Sequence, residues 1–280
     1  MDLYKKISYE SSKLITKSYS TSFSLGIMAF APEYRDPIYA IYGFVRIADE
    51  IVDTFHDHDK TYLLSELRHD TMHAISSGIS TNPFLHSFQD TVNKYKIDLD
   101  LITAFLDSMA MDLHKSTYDK PEYSRYIYGS AEVVGLMCLK IFVGGNEEKY
   151  QKLLVPAKAL GSAFQKVNFL RDIRGDFQER GRIYLPDASD HSDITDENKS
   201  MLEKEIEEEF ELALTGIRQL PKGVILGVYS AYLYYRKLFE KIKRKKINQI
   251  LDKRTRISNG FKLSLLFYSF IKVKIFGRVK

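Results

Sequence analysis

A pair of aspartates one helical turn apart, set beside an apolar face, occurs twice in this chain, and few folds have a use for that repetition. The first copy lies in residues 38–53, IYAIYGFVRIADEIVD. Arg46, Asp49 and Asp53 stand there at i, i+3 and i+7, one face of a helix. Ile41, Phe44, Val45, Ala48 and Val52 recur at helical spacing beside them, so the acidic stripe borders the buried side. Two carboxylates roughly 6 Å apart along a turn repel by about 0.7 kcal/mol in water and about 3 kcal/mol at an effective dielectric of 20. A bound cation removes that cost. A lone DxxxD reads more simply as a solvated helix face; the second copy changes the balance.

That copy is QKVNFLRDIRGD at residues 165–176, where Gln165, Asn168, Asp172 and Asp176 step by three, four and four. Val167, Leu170 and Ile173 fill the apolar side, and Gly175 is expected to end or fray the helix. Magnesium takes oxygen ligands in octahedral geometry, commonly one or two carboxylates with substrate phosphate oxygens. Two such helices face to face would hold a diphosphate between metal ions.

The rest of the chain has helical period almost throughout. Helices are expected at residues 4–17, 32–55, 61–75, 82–95, 98–115, 123–142, 147–173, 197–215, 223–251 and 261–276. No alternating strand pattern competes, so the fold class is all-α, and no linker divides residues 1–280 into separate domains. A hydrophobic content of 44% supports a sizeable core. Seventeen Phe and nineteen Tyr with no Trp serve core and half-buried packing first. Small residues at Ala157, Gly161 and Ala163 are expected to leave room along the helix leading to the second motif. The stretch from Phe177 to Asn198 reads as non-helical. Its Arg180, Arg182 and Tyr184 are placed to close over a diphosphate, whereas residues 187–196 read as a solvated connector.

Charge and cysteine content narrow the function classes. One cysteine, Cys138, excludes an internal disulfide framework and fits a reducing, cytoplasmic compartment. No signal peptide and no run of about 18 apolar residues is present. From Phe239 onward there are thirteen Lys or Arg against two acids, in a chain whose net charge is only +4. The segment at about 252–280 is basic and amphipathic, and LSLLFYSFIKVKIF at residues 263–276 has the composition of an interfacial helix. It reads equally as a terminal helix docked on the bundle with snorkelling lysines. A nucleic-acid binder is the competing reading of such a tail, and nothing in the first 238 residues supports it. His56, His58, His69 and His73 lack a third ligand at zinc spacing, and no GxGxxG or P-loop occurs. Asp112 is a candidate for handling a proton or supporting the metal ligands, or is simply a capped aspartate.

Five runs in order carry a family resemblance: YSTSF at 19–23, RIADEIVD at 46–53, YIYGSAEVVG at 126–135, NFLRDIRGD followed by RGRIYLP at 168–186, and RTRIS at 254–258. Together they resemble the squalene and phytoene synthase family, and most of all its bacterial phytoene synthases. The resemblance implies an isoprenoid synthase helical bundle with a central cavity between the two DxxxD helices. It implies a magnesium-dependent prenyltransferase, manganese substituting, with Asp49, Asp53, Asn168, Asp172 and Asp176 as metal ligands. Tyr128 and Arg46 join the aspartates as catalytic residues. Ser20, Ser22, Phe23, Arg46, Gln165, Asn168, Arg171, Arg180, Arg182, Tyr184, Arg254 and Arg256 are implied substrate contacts. The implied reaction joins two geranylgeranyl diphosphates head to head through a cyclopropylcarbinyl diphosphate to phytoene, without NADPH, in carotenoid biosynthesis. Farnesyl diphosphate going to squalene or dehydrosqualene is the alternative, and a non-catalytic scaffold of the same fold is the reading from another class. A monomer, peripheral on the cytoplasmic membrane face through its basic C-terminal segment, is expected. The chain departs from many members in its first motif, where Tyr19 and Thr21 stand in place of a basic residue.

Overall fold

Helices make up most of the computed structural model, which describes residues 2–186, 188, 193 and 195–275. They are α1 (Asp2–Tyr19), α2 (Thr21–Met28), α3 (Pro32–Asp53), α4 (Lys60–Ser77), α5 (Pro83–Tyr95), α6 (Leu99–His114), α7 (Lys120–Ile127), α8 (Val133–Phe142), α9 (Glu147–Arg180), α10 (Asp196–Ile217), α11 (Lys222–Lys243), α12 (Ile247–Asp252) and α13 (Asn259–Phe270). A π turn, Tyr128–Glu132, joins α7 to α8, and another, Ile271–Ile275, follows α13. No strand occurs among the described residues, as the sequence pattern requires.

The core forms where apolar stripes meet. On α3, Ile38, Ile41, Phe44, Ala48, Ile51 and Val52 are buried, and Phe44 stacks on Phe88 of α5 at 3.9 Å. Pro32 opens α3, where a missing N–H costs least, whereas Pro37, inside the helix, removes the hydrogen bond to the Glu33 carbonyl. The α1–α3 contact is polar and close. Ser8, Ser12 and Thr16 are fully buried, Ser12 meets Ser87 at 2.8 Å, and a Cβ on Gly43 would come within 2.8 Å of Ser12 Oγ.

Four boundaries differ from the sequence expectation. Helix α2 was not anticipated; Ser20 starts it by accepting from the Phe23 N–H at 3.2 Å. Gly175 does not end α9, which runs on to Arg180, because i,i+4 pairs bridge that turn: Arg174 to Gln178 at 3.0 Å and Arg180 to Asp176 at 2.9 Å. The terminator is Gly181, whose φ of +65° only glycine adopts without strain. The expected helix at 223–251 breaks after Lys243 and resumes as α12, and the one expected from Tyr123 begins at Lys120 behind a capping box from Asp119 and Glu122. The connector expected at residues 187–196 lies largely outside the described residues.

The small residues on α9 serve close approach more than space. A Cβ on Gly161 would stand 2.8 Å from the Ala131 carbonyl oxygen, and Ala163 is fully buried. Ala157 and Gly161 still line the cavity, and the Ala157 carbonyl oxygen would lie 3.3 Å from a Cβ on Gly135.

Candidate active site

Helices α3 and α9 bring their acidic stripes to one end of a cavity of about 590 Å³. Asp49, Asp53, Asp172 and Asp176 all line it, with Asp112 from α6. The wall follows α9 from Leu153 to Asp172, about 28 Å of helix at 1.5 Å per residue. Away from the carboxylates it is apolar, and Phe30 and Phe142, ring centroids 5.3 Å apart, meet toward the far end.

One guanidinium links the two motifs. Arg180 lies 2.9 Å from Asp176 and 3.6 Å from Asp53. Arg182 also reaches Asp53, at 2.9 Å, and stands 3.7 Å from Asp112. The segment carrying it is fixed by backbone bonds, Arg182 N–H to the Asp176 carbonyl and Ile183 N–H to the Ser116 carbonyl, each 2.8 Å. Asp112 accepts hydroxyls from Tyr118 and Tyr126 at 2.7 Å and from Tyr184 at 2.9 Å. Burial pushes the Asp112 carboxyl up, with Arg182 and the three phenols opposing.

The remaining aspartates are unequally matched. Asp172 accepts from Arg171 at 2.9 Å and from Arg254 at 2.6 Å; burial raises its carboxyl, but those two arginines outweigh it and hold it below its ordinary value. Asp49 keeps 33% of its side-chain surface open to the cavity, a space itself walled by protein. Its nearest cation, Arg46, is 3.9 Å away. Burial, with Asp53 and Asp112 adding to it, pushes Asp49 up to about 7 despite Arg46. Asp176 is likewise pushed up to about 7, by burial and then by Asp172. These two carboxylates lack sufficient positive charge.

The donor set fits magnesium. Among the described residues no three His, Cys, Asp or Glu side chains converge into a ready-made cage, and magnesium does not require one, since it keeps waters and takes phosphate oxygens alongside one or two carboxylates. Undercharged carboxylates on two facing helices, with Asn168 beside them, offer such partial ligation.

Of the expected contacts, Ser22, Phe23, Arg46, Gln165, Asn168, Arg171, Arg180, Arg182 and Tyr184 line the cavity. Asn168 donates to Gln165 at 3.4 Å and accepts from Tyr235 at 3.2 Å. Arg254 reaches the site only through Asp172. Three others stand outside the lining. Ser20 is not part of the lining, its side chain being used to cap α2. Arg256 is exposed, and its carbonyl accepts from Lys241 at 2.7 Å. Tyr128 faces Lys158, whose Nζ lies 4.9 Å from the ring centroid; Tyr126, two residues and so about 200° earlier round the helix, takes the cavity side.

The sequence reading also missed part of the wall. Tyr42 lies one turn before Arg46 on the same face, so its spacing could have revealed it. Tyr235, stacked on Phe164 at 3.9 Å, and Lys262 of α13 carried no local signal. Burial, followed by Arg171, lowers the Lys262 ammonium.

Known proteins resemble this chain in sequence and in fold. The squalene/phytoene synthase family profile matches residues 16–260. Phytoene synthase 1 of Solanum lycopersicum chloroplasts is 30% identical over 92% of this chain and 66% of its own length. The 15-cis-phytoene synthase of Synechocystis is 28% identical over 95% of this chain and 86% of its own. The chain thus spans just under two thirds of the plant relative. A dehydrosqualene synthase crystallised with a ligand shares the fold at a TM-score of 0.82, with 22% identity over 97% of this chain and 98% of that one.

Proposed function

Because this chain belongs to the squalene/phytoene synthase family, we propose that it joins two geranylgeranyl diphosphates head to head to form phytoene, releasing diphosphate. The observation that carries the reading is Arg180 spanning Asp53 and Asp176 at the polar end of a long apolar cavity. The phytoene synthases among the relatives favour the C20 substrate, as does the length of wall along α9.

Asp49, Asp53, Asn168, Asp172 and Asp176 would hold magnesium, which supplies Lewis-acid stabilisation to a departing diphosphate. Arg180, Arg182, Arg171 and Arg254 offer guanidinium donors to diphosphate oxygens. The stacked rings of Phe164 and Tyr235, with Tyr42 and Phe169, present π faces to an allylic cation and keep water from it. Attack by the second substrate's double bond on the allylic cation, with loss of a proton to close the ring, gives a cyclopropylcarbinyl diphosphate; its ionisation, rearrangement and loss of a second proton give the C40 product. Tyr126 and Tyr184, held by Asp112, are the polar groups nearest the arginine pair able to relay that proton. The enzyme is a monomer on the cytoplasmic face of a membrane, contacting it through its basic C-terminal segment.

Incubation with geranylgeranyl or farnesyl diphosphate and magnesium, with and without NADPH, followed by lipid extraction, tests the reading. Phytoene formed without NADPH is the expected product. Consumption of farnesyl diphosphate alone, or a reduced hydrocarbon appearing with NADPH, would move the assignment to dehydrosqualene or squalene.

A further inference from the structure

Helix α13 turns an apolar stripe outward as well as burying Leu265 on its inner side. Leu263, Phe267 and Phe270 stand at i, i+4 and i+7, one stripe of the helix, and are 59%, 66% and 45% exposed. Phe261 and Tyr268 flank them and are exposed too. On the inner side Ser269 is fully buried, its hydroxyl donating to the Leu265 carbonyl at 2.7 Å, while Lys262 and Leu266 line the cavity. A surface helix in water arranges such residues the other way round. A cluster of outward leucine and phenylalanine marks a binding surface, not an ordinary scatter of exposed side chains.

The surrounding charge selects the occupant. Lys253, Arg254 and Arg256 are exposed just before α13, and Lys272 follows it. Lys253 and Arg256 pair with no carboxylate among the described residues. Two copies docked through this face would press two cationic belts together, whereas an anionic lipid surface gives the rings an acyl boundary and the cations a set of headgroups. The cavity reaches the same place: Phe23 and Leu266 both line it, from α2 and α13, two helices that each pack on α11. No helix among the described residues is long and apolar enough to cross a membrane, so the contact lies in the interface.

We propose that α13 seats in an anionic membrane surface with Leu263, Phe267 and Phe270 in the acyl boundary, leaving the cavity open to the bilayer beside it. Apolar ligands then exchange between cavity and bilayer without crossing water. That benefit rests on the proposed reaction; the seating does not.

The chain contains no tryptophan, so Phe267→Trp places a single reporter on the face. In the full chain its emission shifts to the blue on adding vesicles of phosphatidylglycerol and phosphatidylcholine, far less with phosphatidylcholine alone or at high salt. Leu14→Trp, on the exposed side of α1, shows no such shift. A triple variant, Leu263→Ser with Phe267→Ser and Phe270→Ser, floats with anionic vesicles at least tenfold less than the unaltered chain, with its circular dichroism unchanged. An unshifted Phe267→Trp spectrum, or equal flotation of the triple variant, overturns the proposal. So does a dimer by light scattering that the triple variant dissolves, which would give the face to a second copy. Since the readout is binding, failure here is distinct from failure of the product assignment.

Discussion

The two DxxxD motifs are spelled alike and sit in unlike electrostatic surroundings. On α9, Asp172 is met by Arg171 from its own helix and by Arg254, which arrives from beyond α12. On α3, Asp49 has only Arg46, and that guanidinium is shared with Glu50 while lying 4.2 Å over the Tyr19 ring. The difference comes from what distant elements deliver, not from the motif. Each motif therefore has one aspartate met by arginines, Asp53 on α3 and Asp172 on α9, and one, Asp49 or Asp176, where added positive charge gains most.

The strongest way to break the comparison is to remove the carboxylates. Asp49→Asn, Asp53→Asn, Asp172→Asn and Asp176→Asn should each lower turnover at least about a hundredfold, roughly 3 kcal/mol of barrier, with helix content by circular dichroism intact. Near-normal turnover in two or more of them would end the reading of both motifs as a metal clamp. Next in size is Arg254→Gln. Because Arg254 is half exposed and acts through Asp172, the expected effect is about a tenfold rise in KM for the diphosphate with a smaller change in kcat; an unchanged KM would leave that arginine a surface pair.

Stability without metal sharpens the contrast by sign. Asp49→Asn removes a poorly paired buried carboxylate and should raise Tm by about 1–3 °C, whereas Asp172→Asn strands two arginines and should lower it by a similar amount. A carboxylate whose folded value is raised contributes stability at low pH that is lost as pH rises through that value. The gain from Asp49→Asn should therefore grow from about pH 4, near the ordinary carboxyl value, to about pH 7. Equal shifts for both variants would erase the distinction. The smallest effect is expected at Tyr128→Phe, which touches neither motif and should keep turnover within about twofold; Tyr126→Phe, bonded to Asp112, should lower it more.

Local periodicity made α3 and α9 legible, because the buried face and the acidic face of each helix repeat within one stretch of chain. Periodicity could not choose between Tyr126 and Tyr128: both are aromatic, and the choice depends on how α7 meets α6 and α9. Nor could it show that Gly161 serves close contact as well as cavity, since that is decided by the Ala131 carbonyl on another element. Gly175 misled for a related reason. Glycine lowers helix propensity by about 1 kcal/mol, and the flanking side-chain pairs across that turn, with Gly181 waiting six residues on, offset it. Asp112 stood out only as an isolated acid; its three tyrosine donors come from residues 118, 126 and 184 and have no common local pattern.

Arg180, lying between Asp53 and Asp176, makes the two ligands of the site depend on each other. A cation approaching those carboxylates competes with the guanidinium, and a guanidinium turned outward is a donor in search of an anion. A diphosphate that engages Arg180 in turn leaves Asp176 short of positive charge and Asp53 with Arg182 alone. Each ligand thus prepares the place of the other, and by linkage the gain is the same in both directions. Calorimetric titration should show magnesium binding weakly alone and more tightly once inorganic diphosphate is present, by the same factor that magnesium strengthens diphosphate. On the proposed reading, the arginine would act as a placeholder that favours the joint arrival of metal and diphosphate over either alone.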